Sequence, residues 1–312
     1  MISVDIISGF LGSGKTTLIK QLVKKDHFKE RVVIIENEFG EVGIDGLILR
    51  ESNVAVKELN SGCICCTIVR EFEKSIKEVI EQFKPERIII EPSGVGKLSE
   101  VIRTFEIAEL KEMVKIDKVI TVVDVFNCEL YLENFGEFFG NQIQHAKTVF
   151  LSRTQVATQI QIEETIHAIR GLNTQAHIVT TALENLKSQE LSGRHMLQMV
   201  CADGCGCHHH SRQDHHHHAD EFFEVWGTET KKVFTESVLR KILVTLSREE
   251  DFGLVLRGKG VLKVEDDVWT QFDYIPGEIN ISGMTSSEIG KICIIGRKLN
   301  RVHLEKLFCE QV

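Results

Sequence analysis

Short runs of β-branched and apolar residues alternate with longer amphipathic stretches through the first two thirds of the chain. Val4 to Ile7, Val32 to Ile35, Arg87 to Glu91, Lys118 to Asp124, Thr148 to Ser152 and His177 to Thr181 read as strands. Several are continuously apolar, the pattern of parallel strands covered on both faces. Between them, Ile68, Phe72, Ile76, Val79 and Phe83 recur at helical spacing, with Lys and Glu on the opposite face. Strands alternating with helices imply βαβ crossovers, so residues 1–190 are expected to form a doubly wound, mostly parallel α/β sheet.

Residues 191–220 break this pattern. Within them, Cys, Gly and His crowd together without an apolar face, which reads as an exposed linker. Beyond it, Phe222 to Trp226 and Lys291 to Gly296 suggest strands, and Phe234 to Leu246 and Val302 to Phe308 suggest helices. Leu254 to Val264 is strand-like but interrupted at Gly258-Lys259-Gly260, where Arg257 and Lys259 read as a solvated turn, a ligand- or partner-facing pair being the alternative. Residues 221–312 are therefore expected to form a smaller C-terminal α+β domain with an antiparallel sheet.

Composition narrows the classes. Among 312 residues, 37 are basic and 46 acidic, and no Lys/Arg stripe is visible, which argues against a nucleic-acid binder. The apolar runs are strand-sized, so no membrane-spanning helix is expected. The chain starts at once with a strand-like segment rather than a secretory signal, and a cytoplasmic location is expected. Nine cysteines, an odd count with three crowded at 63–66, suit thiol or metal chemistry better than a disulfide framework.

Gly9-Phe10-Leu11-Gly12-Ser13-Gly14-Lys15-Thr16 follows a predicted strand and opens a predicted helix. This is the context in which G-x-x-x-x-G-K-[ST] binds phosphates. Glycines let successive backbone N–H groups converge on phosphate oxygens, and the helix N-terminus adds positive potential. Gly9, Gly12, Ser13, Gly14 and Thr17 are the expected cradle. Lys15 is expected to bridge the β- and γ-phosphates, and Thr16 to offer its hydroxyl to Mg²⁺. An acidic group is then needed at a neighbouring strand end. Glu91 is the choice, with the Gly94 N–H placed to sense the γ-phosphate, while Asp124 is the competing acidic candidate and reads at least as well as a cap for the segment after it.

Cys63-Ile64-Cys65-Cys66 precedes the helix that begins near Ile68. Thiolates at a helix N-terminus have depressed pKa values and favour a soft or borderline metal. A redox pair and buried structural cysteines are the alternatives. Cys205, Cys207, His208, His209, His210, His215, His216, His217 and His218 form a second array, suited to metal capture through many interchangeable geometries. A passive linker is the bland reading. Cys128, Cys293 and Cys309 stand alone and read as filler.

Several motifs occur in order: Gly9 to Thr17, Glu36 to Asp45 (Glu-Asn-Glu-Phe-Gly-Glu-Val-Gly-Ile-Asp), Gly62 to Cys66, Glu91 to Gly94, the His-rich linker, and Leu256 to Gly260. Together they resemble the CobW-related metal-chaperone GTPases, cousins of the urease and hydrogenase nickel-insertion GTPases. The resemblance implies a P-loop GTPase using GTP/GDP and Mg²⁺, followed by a CobW-type C-terminal domain. It also implies delivery of Zn²⁺ or Co²⁺ to a client metalloprotein or cofactor-synthesis enzyme, with Cys63, Cys65, Cys66 and Glu36 as metal ligands. A client or a nucleotide-dependent dimer partner would complete the catalytic site.

One position departs from the family. Where an Asn-Lys-x-Asp-like motif is expected to read guanine, this chain carries Ser152-Arg153-Thr154-Gln155. Neutral Gln155 cannot accept two hydrogen bonds as a carboxylate does, and Arg153 does not replace Lys along a base. The resulting reading is a GTP-hydrolysing metallochaperone. Its rivals are a metal buffer or sensor with a vestigial nucleotide site and, less well supported, a small-molecule kinase.

Overall fold

The computed structural model describes residues 1–25, 31–37, 55–59, 68–106, 108–186, 190, 222–264, 268–284 and 289–309. Cys63, Cys65 and Cys66, and the whole array from Cys205 to His218, lie outside these residues.

The first region is built from β1 (Ile2–Gly9), α1 (Lys15–Lys25), β2 (Val32–Asn37), β3 (Ala55–Leu59), α2 (Ile68–Phe83) and β4 (Arg87–Glu91). There follow α3 (Leu98–Thr104), α4 (Ala108–Met113), β5 (Val114–Asp124), α5 (Cys128–Gln144), β6 (Thr148–Ser152), α6 (Gln159–Leu172) and β7 (His177–Val179). Among the described residues, seven strands pair in the order β3-β2-β4-β1-β5-β6-β7, and each of these pairings is parallel. The apolar runs explain the two covers. Along β4, Ile88 and Ile90 join Val4, Ile6, Phe72, Ile76 and Val79 in one core layer. Ile89 faces the other way, onto Ile7, Leu18, Ile19 and Leu22. Successive side chains of a strand point to opposite faces, so a continuous apolar run is what a two-sided sheet requires. Strand β3, which carries Lys57 and Glu58 at the sheet edge, has no such run and is not legible in the pattern.

The second region comprises β8 (Glu224–Thr230), β9 (Val233–Phe234), α7 (Glu236–Thr245), α8 (Glu249–Phe252), β10 (Leu254–Val264), β11 (Val268–Ile275), β12 (Glu278–Met284), β13 (Gly290–Arg297) and α9 (Arg301–Phe308). The antiparallel order is β12-β11-β10-β13-β8, with the short β9 parallel to the end of β10. The turn expected at Gly258-Lys259-Gly260 does not exist: β10 runs straight through it. Glycine is needed at Gly260 for packing, because a Cβ there would stand 2.3 Å from Phe272 Cε1. Lys259 is correspondingly buried, not solvated.

One face of this sheet packs on α7 and α9 through Leu239, Leu243, Phe272, Leu304 and Phe308. The other contributes Leu256, Cys293 and Ile295 to a cluster containing Phe10, Tyr131, Phe135 and Phe138. Phe222 and Phe223, just before β8, seal the joint: Phe223 stacks on Phe135 at 5.3 Å and meets Phe138 at 5.1 Å. The two sheets therefore share a core, and that core includes Phe10 of the glycine-rich turn. Among the described residues, no helix is long and apolar enough to cross a membrane.

Candidate nucleotide site

The glycine turn leaves the end of β1 and closes at the start of α1. Ser13 N and Lys15 Nζ both donate to Phe10 O, at 3.3 and 3.2 Å. Gly9, Gly12 and Gly14 all have positive φ, at 150°, 67° and 100°. Gly12 is constrained twice, because a Cβ on it would lie 2.3 Å from Ile275 Cγ2 in the C-terminal sheet. Ser13 and Lys15 are buried and Thr17 is exposed at the start of the helix.

On the β4 side of the turn, Thr16 Oγ1 lies 3.3 Å from Glu91 Oε1 and 3.5 Å from Oε2. Glu91 is buried at the strand end, and its register partner on β2 is Glu36, also buried. Gly94 follows in a turn held from α5: Gln142 Nε2 donates to the carbonyl oxygens of Gly94 and Gly96 at 3.0 and 2.9 Å.

On the β6 side, Asp124 does more than cap. Its carboxylate accepts from Phe126 N at 3.1 Å and Asn127 Nδ2 at 2.5 Å, and pairs with Arg153 Nη1 at 2.8 Å. Arg153 adopts a positive φ of 62°, which turns its side chain back over the glycine turn. Its guanidinium donates to Gly12 O at 3.3 Å, and its Nε to Glu278 Oε2 at 2.6 Å. Burial acts to lower the Arg153 pKa, but Asp124 and Glu278 outweigh it and hold the guanidinium above its ordinary range. Ser152 is buried with its hydroxyl 3.4 Å from Val123 O, and Gln155 is exposed. Tyr131, beneath Phe10 at 4.6 Å between ring centres, has its hydroxyl pushed up, first by burial and then by Asp124.

A cleft of about 220 Å³ opens beside the turn, lined by Gly12, Gly14, Lys15, Thr16, Thr17, Lys20 and Arg153, and on its far side by Arg257, Asp273, Ile275, Glu278 and Asn280. Most of the far side was invisible in the sequence: Asp273, Ile275, Glu278 and Asn280 belong to no motif and lie more than two hundred positions from the glycine turn, whereas Arg257 falls within the Leu256 to Gly260 motif. Arg257, expected in a solvated turn, instead pairs with Asp273 at 3.0 Å with its side chain largely buried.

A doubly wound parallel sheet whose first strand ends in this turn and opens a helix defines a P-loop nucleoside-triphosphate protein. The chain belongs to the CobW/HypB/UreG family, whose nucleotide-binding domain matches residues 3–180. Among curated relatives, the zinc chaperone YjiA of Escherichia coli is 30% identical over 185 residues, covering 57% of this chain and 57% of YjiA. The match thus spans little more than half of that relative's length. Zinc-regulated GTPase metalloprotein activator 1 of Schizosaccharomyces pombe is 26% identical over 349 residues, covering 96% of this chain and 84% of that protein. The crystal structure of Zn(II)-bound YjiA GTPase from E. coli is 20% identical, covers 98% and 97% of the two chains, and superposes with a TM-score of 0.44.

Proposed function

We propose that the protein is a GTP-hydrolysing metallochaperone in which nucleotide state governs the binding and delivery of a transition metal. Residues 1–190 would be the GTPase domain, 191–220 a metal-capturing linker, and 221–312 the C-terminal domain. The observation that carries the reading is a row of groups along one edge of the sheet. Thr16 lies 3.3 Å from Glu91, and Glu91 is paired in register with Glu36. Phosphate chemistry and a proposed metal ligand therefore share the ends of two adjacent strands.

Hydroxyl and carboxylate oxygens at Thr16 and Glu91 are the hard donors that Mg²⁺ takes, with water and phosphate oxygens filling its remaining positions. The ion would neutralise charge on the β- and γ-phosphates. Lys15 would exchange its contact with Phe10 O for phosphate oxygens. Water then adds to the γ-phosphorus as the bond to the β–γ bridging oxygen breaks, giving GDP, inorganic phosphate and a proton. Gly94, whose carbonyl oxygen Gln142 holds, would turn its N–H to the γ-phosphate, and loss of that phosphate on hydrolysis would release the neighbouring segments.

Cys63, Cys65, Cys66 and Glu36 would bind the transported ion, and Cys205 to His218 would capture it. Zinc is preferred over cobalt because the relatives above are named for zinc. Such thiolates suit the reducing cytoplasm, and the client would be a metalloprotein or a cofactor-synthesis enzyme. Exposed, neutral Gln155 favours one rival, a metal buffer with a weak nucleotide site.

The test is turnover of GTP and ATP by metal-stripped protein, with and without stoichiometric Zn²⁺ or Co²⁺. Metal-responsive, GTP-selective hydrolysis is expected. Turnover of both nucleotides that is absent or indifferent to metal overturns the coupled reading in favour of the buffer.

A further inference from the structure

We infer that the C-terminal sheet completes the nucleotide site, with Asp273, Glu278 and Asn280 forming the wall that receives the ribose–base end of a purine nucleotide. The inference rests on the nucleotide reading above and goes beyond it by giving nucleoside contacts to a region outside the P-loop sheet.

Three observations carry it. The first is direction. Strand order places β4 on one side of β1 and β5-β6 on the other. The Mg²⁺ and γ-phosphate end is at Thr16 and Glu91, on the β4 side, so the nucleoside must extend toward β6 and Arg153. That is the side on which the β11–β12 hairpin stands: Arg153 is bonded at once to Gly12 O and to Glu278.

The second is charge. One wall of the cleft carries Lys15, Lys20 and the glycine turn, and the other carries Asp273 and Glu278. Their charge is balanced by arginines, Arg257 on the same wall among them, but carboxylate oxygens have lone pairs to accept hydrogen bonds from ribose hydroxyls and base N–H groups. Each carboxylate is held by an arginine, Asp273 by Arg257 at 3.0 Å and Glu278 by Arg153 at 2.6 Å, and Asn280 Nδ2 donates to Glu278 Oε1 at 2.7 Å. These pairs fix the acceptors in place without filling the cleft.

The third is the opposite loop. At the end of β6, exposed Gln155 lacks the carboxylate a guanine reader needs, whereas Asp273 and Glu278 place two on the facing wall, their side chains 38% and 39% exposed.

The experiment is calorimetric binding of GDP and of inorganic pyrophosphate, both with Mg²⁺, to the full chain and to Asp273→Asn, Asn280→Ala and Lys15→Ala. Asp273→Asn and Asn280→Ala are each expected to weaken GDP about tenfold, the effect of one lost hydrogen bond, and to leave pyrophosphate within about twofold. Lys15→Ala should weaken both ligands. GDP binding unchanged in both C-terminal variants, with Lys15→Ala still defective, overturns the inference and leaves the nucleotide reading intact. Wild-type protein that binds neither ligand overturns both. A variant that loses pyrophosphate as well as GDP would place its residue outside the nucleoside wall and likewise overturn the assignment.

Discussion

The side-chain amide of Gln142, fully buried on α5, donates to the carbonyl oxygen of Gly94 at 3.0 Å. The same amide reaches Gly96, and Thr121 Oγ1 donates to the Gln142 backbone carbonyl at 2.7 Å. The turn after Glu91 is thus suspended from α5, whose Phe135 and Phe138 grip Phe222 and Phe223 at the entry to the C-terminal sheet. A single helix connects the segment proposed to sense the γ-phosphate with the second half of the molecule.

Replacing Gln142 with Leu removes two hydrogen bonds and leaves two carbonyls without them. A loss of about 2–6 kcal/mol is expected, taking each of the two unsatisfied buried carbonyls at about 1–3 kcal/mol. Urea unfolding monitored by circular dichroism would measure it. A change below about 1 kcal/mol would mean that water replaces the amide.

Gly12→Ala should be destabilising on two counts, since its φ of 67° disfavours a Cβ and that Cβ would lie 2.3 Å from Ile275. Backbone strain of this kind costs about 1–3 kcal/mol. Adding Ile275→Ala should relieve the clash but not the strain, so the double variant is expected to lie above the sum of the singles by at least about 0.5 kcal/mol. Strict additivity would refute the contact.

Thr16→Ala removes the hydroxyl nearest Glu91 and should cut hydrolysis more than tenfold, the order expected for losing a charge-positioning contact in phosphoryl transfer. The defect in GDP affinity should appear in Mg²⁺ and vanish in EDTA, where neither protein has an ion to hold. Equal defects in both buffers would mean the variant has damaged the phosphate turn itself.

Burial, aided by Asp124 and Glu129, pushes the Cys128 thiol up to about 12. Its folded-state pKa lies above the ordinary value of 9.0, so its contribution to stability is whole below pH 9 and is lost as pH rises toward 12. Wild type should therefore lose more stability than Cys128→Ala over that window in matched urea titrations. At pH 8, iodoacetamide should modify partly exposed Cys309 well before Cys128, as peptide mass mapping would read directly.

Deleting residues 205–218 should lower the number of Zn²⁺ ions bound in a chelator-competition titration while leaving the tightest class intact. Cys63→Ser, Cys65→Ser and Cys66→Ser together should abolish that tightest class. Loss of the tight class on deleting the linker would invert the proposed roles.

What the sequence determined by itself was local or periodic. The phosphate turn is legible because its requirements fall on consecutive residues, Gly9 to Thr16, each dictated by backbone geometry or by charge. The parallel sheet is legible because strands buried on both faces must be apolar throughout, as Ile88-Ile89-Ile90 is. Lys259 misled for the reverse reason: glycine–lysine–glycine has the composition of a turn, and only the ring of Phe272 packed over Gly260 shows why glycines belong in that strand. The pairing of Arg153 with Glu278, and the wall of Asp273 and Asn280 across the cleft, were decided by tertiary structure alone. Such contacts join residues 125 positions apart through the packing of one sheet on another, and a charged side chain carries no local mark of the partner it will meet.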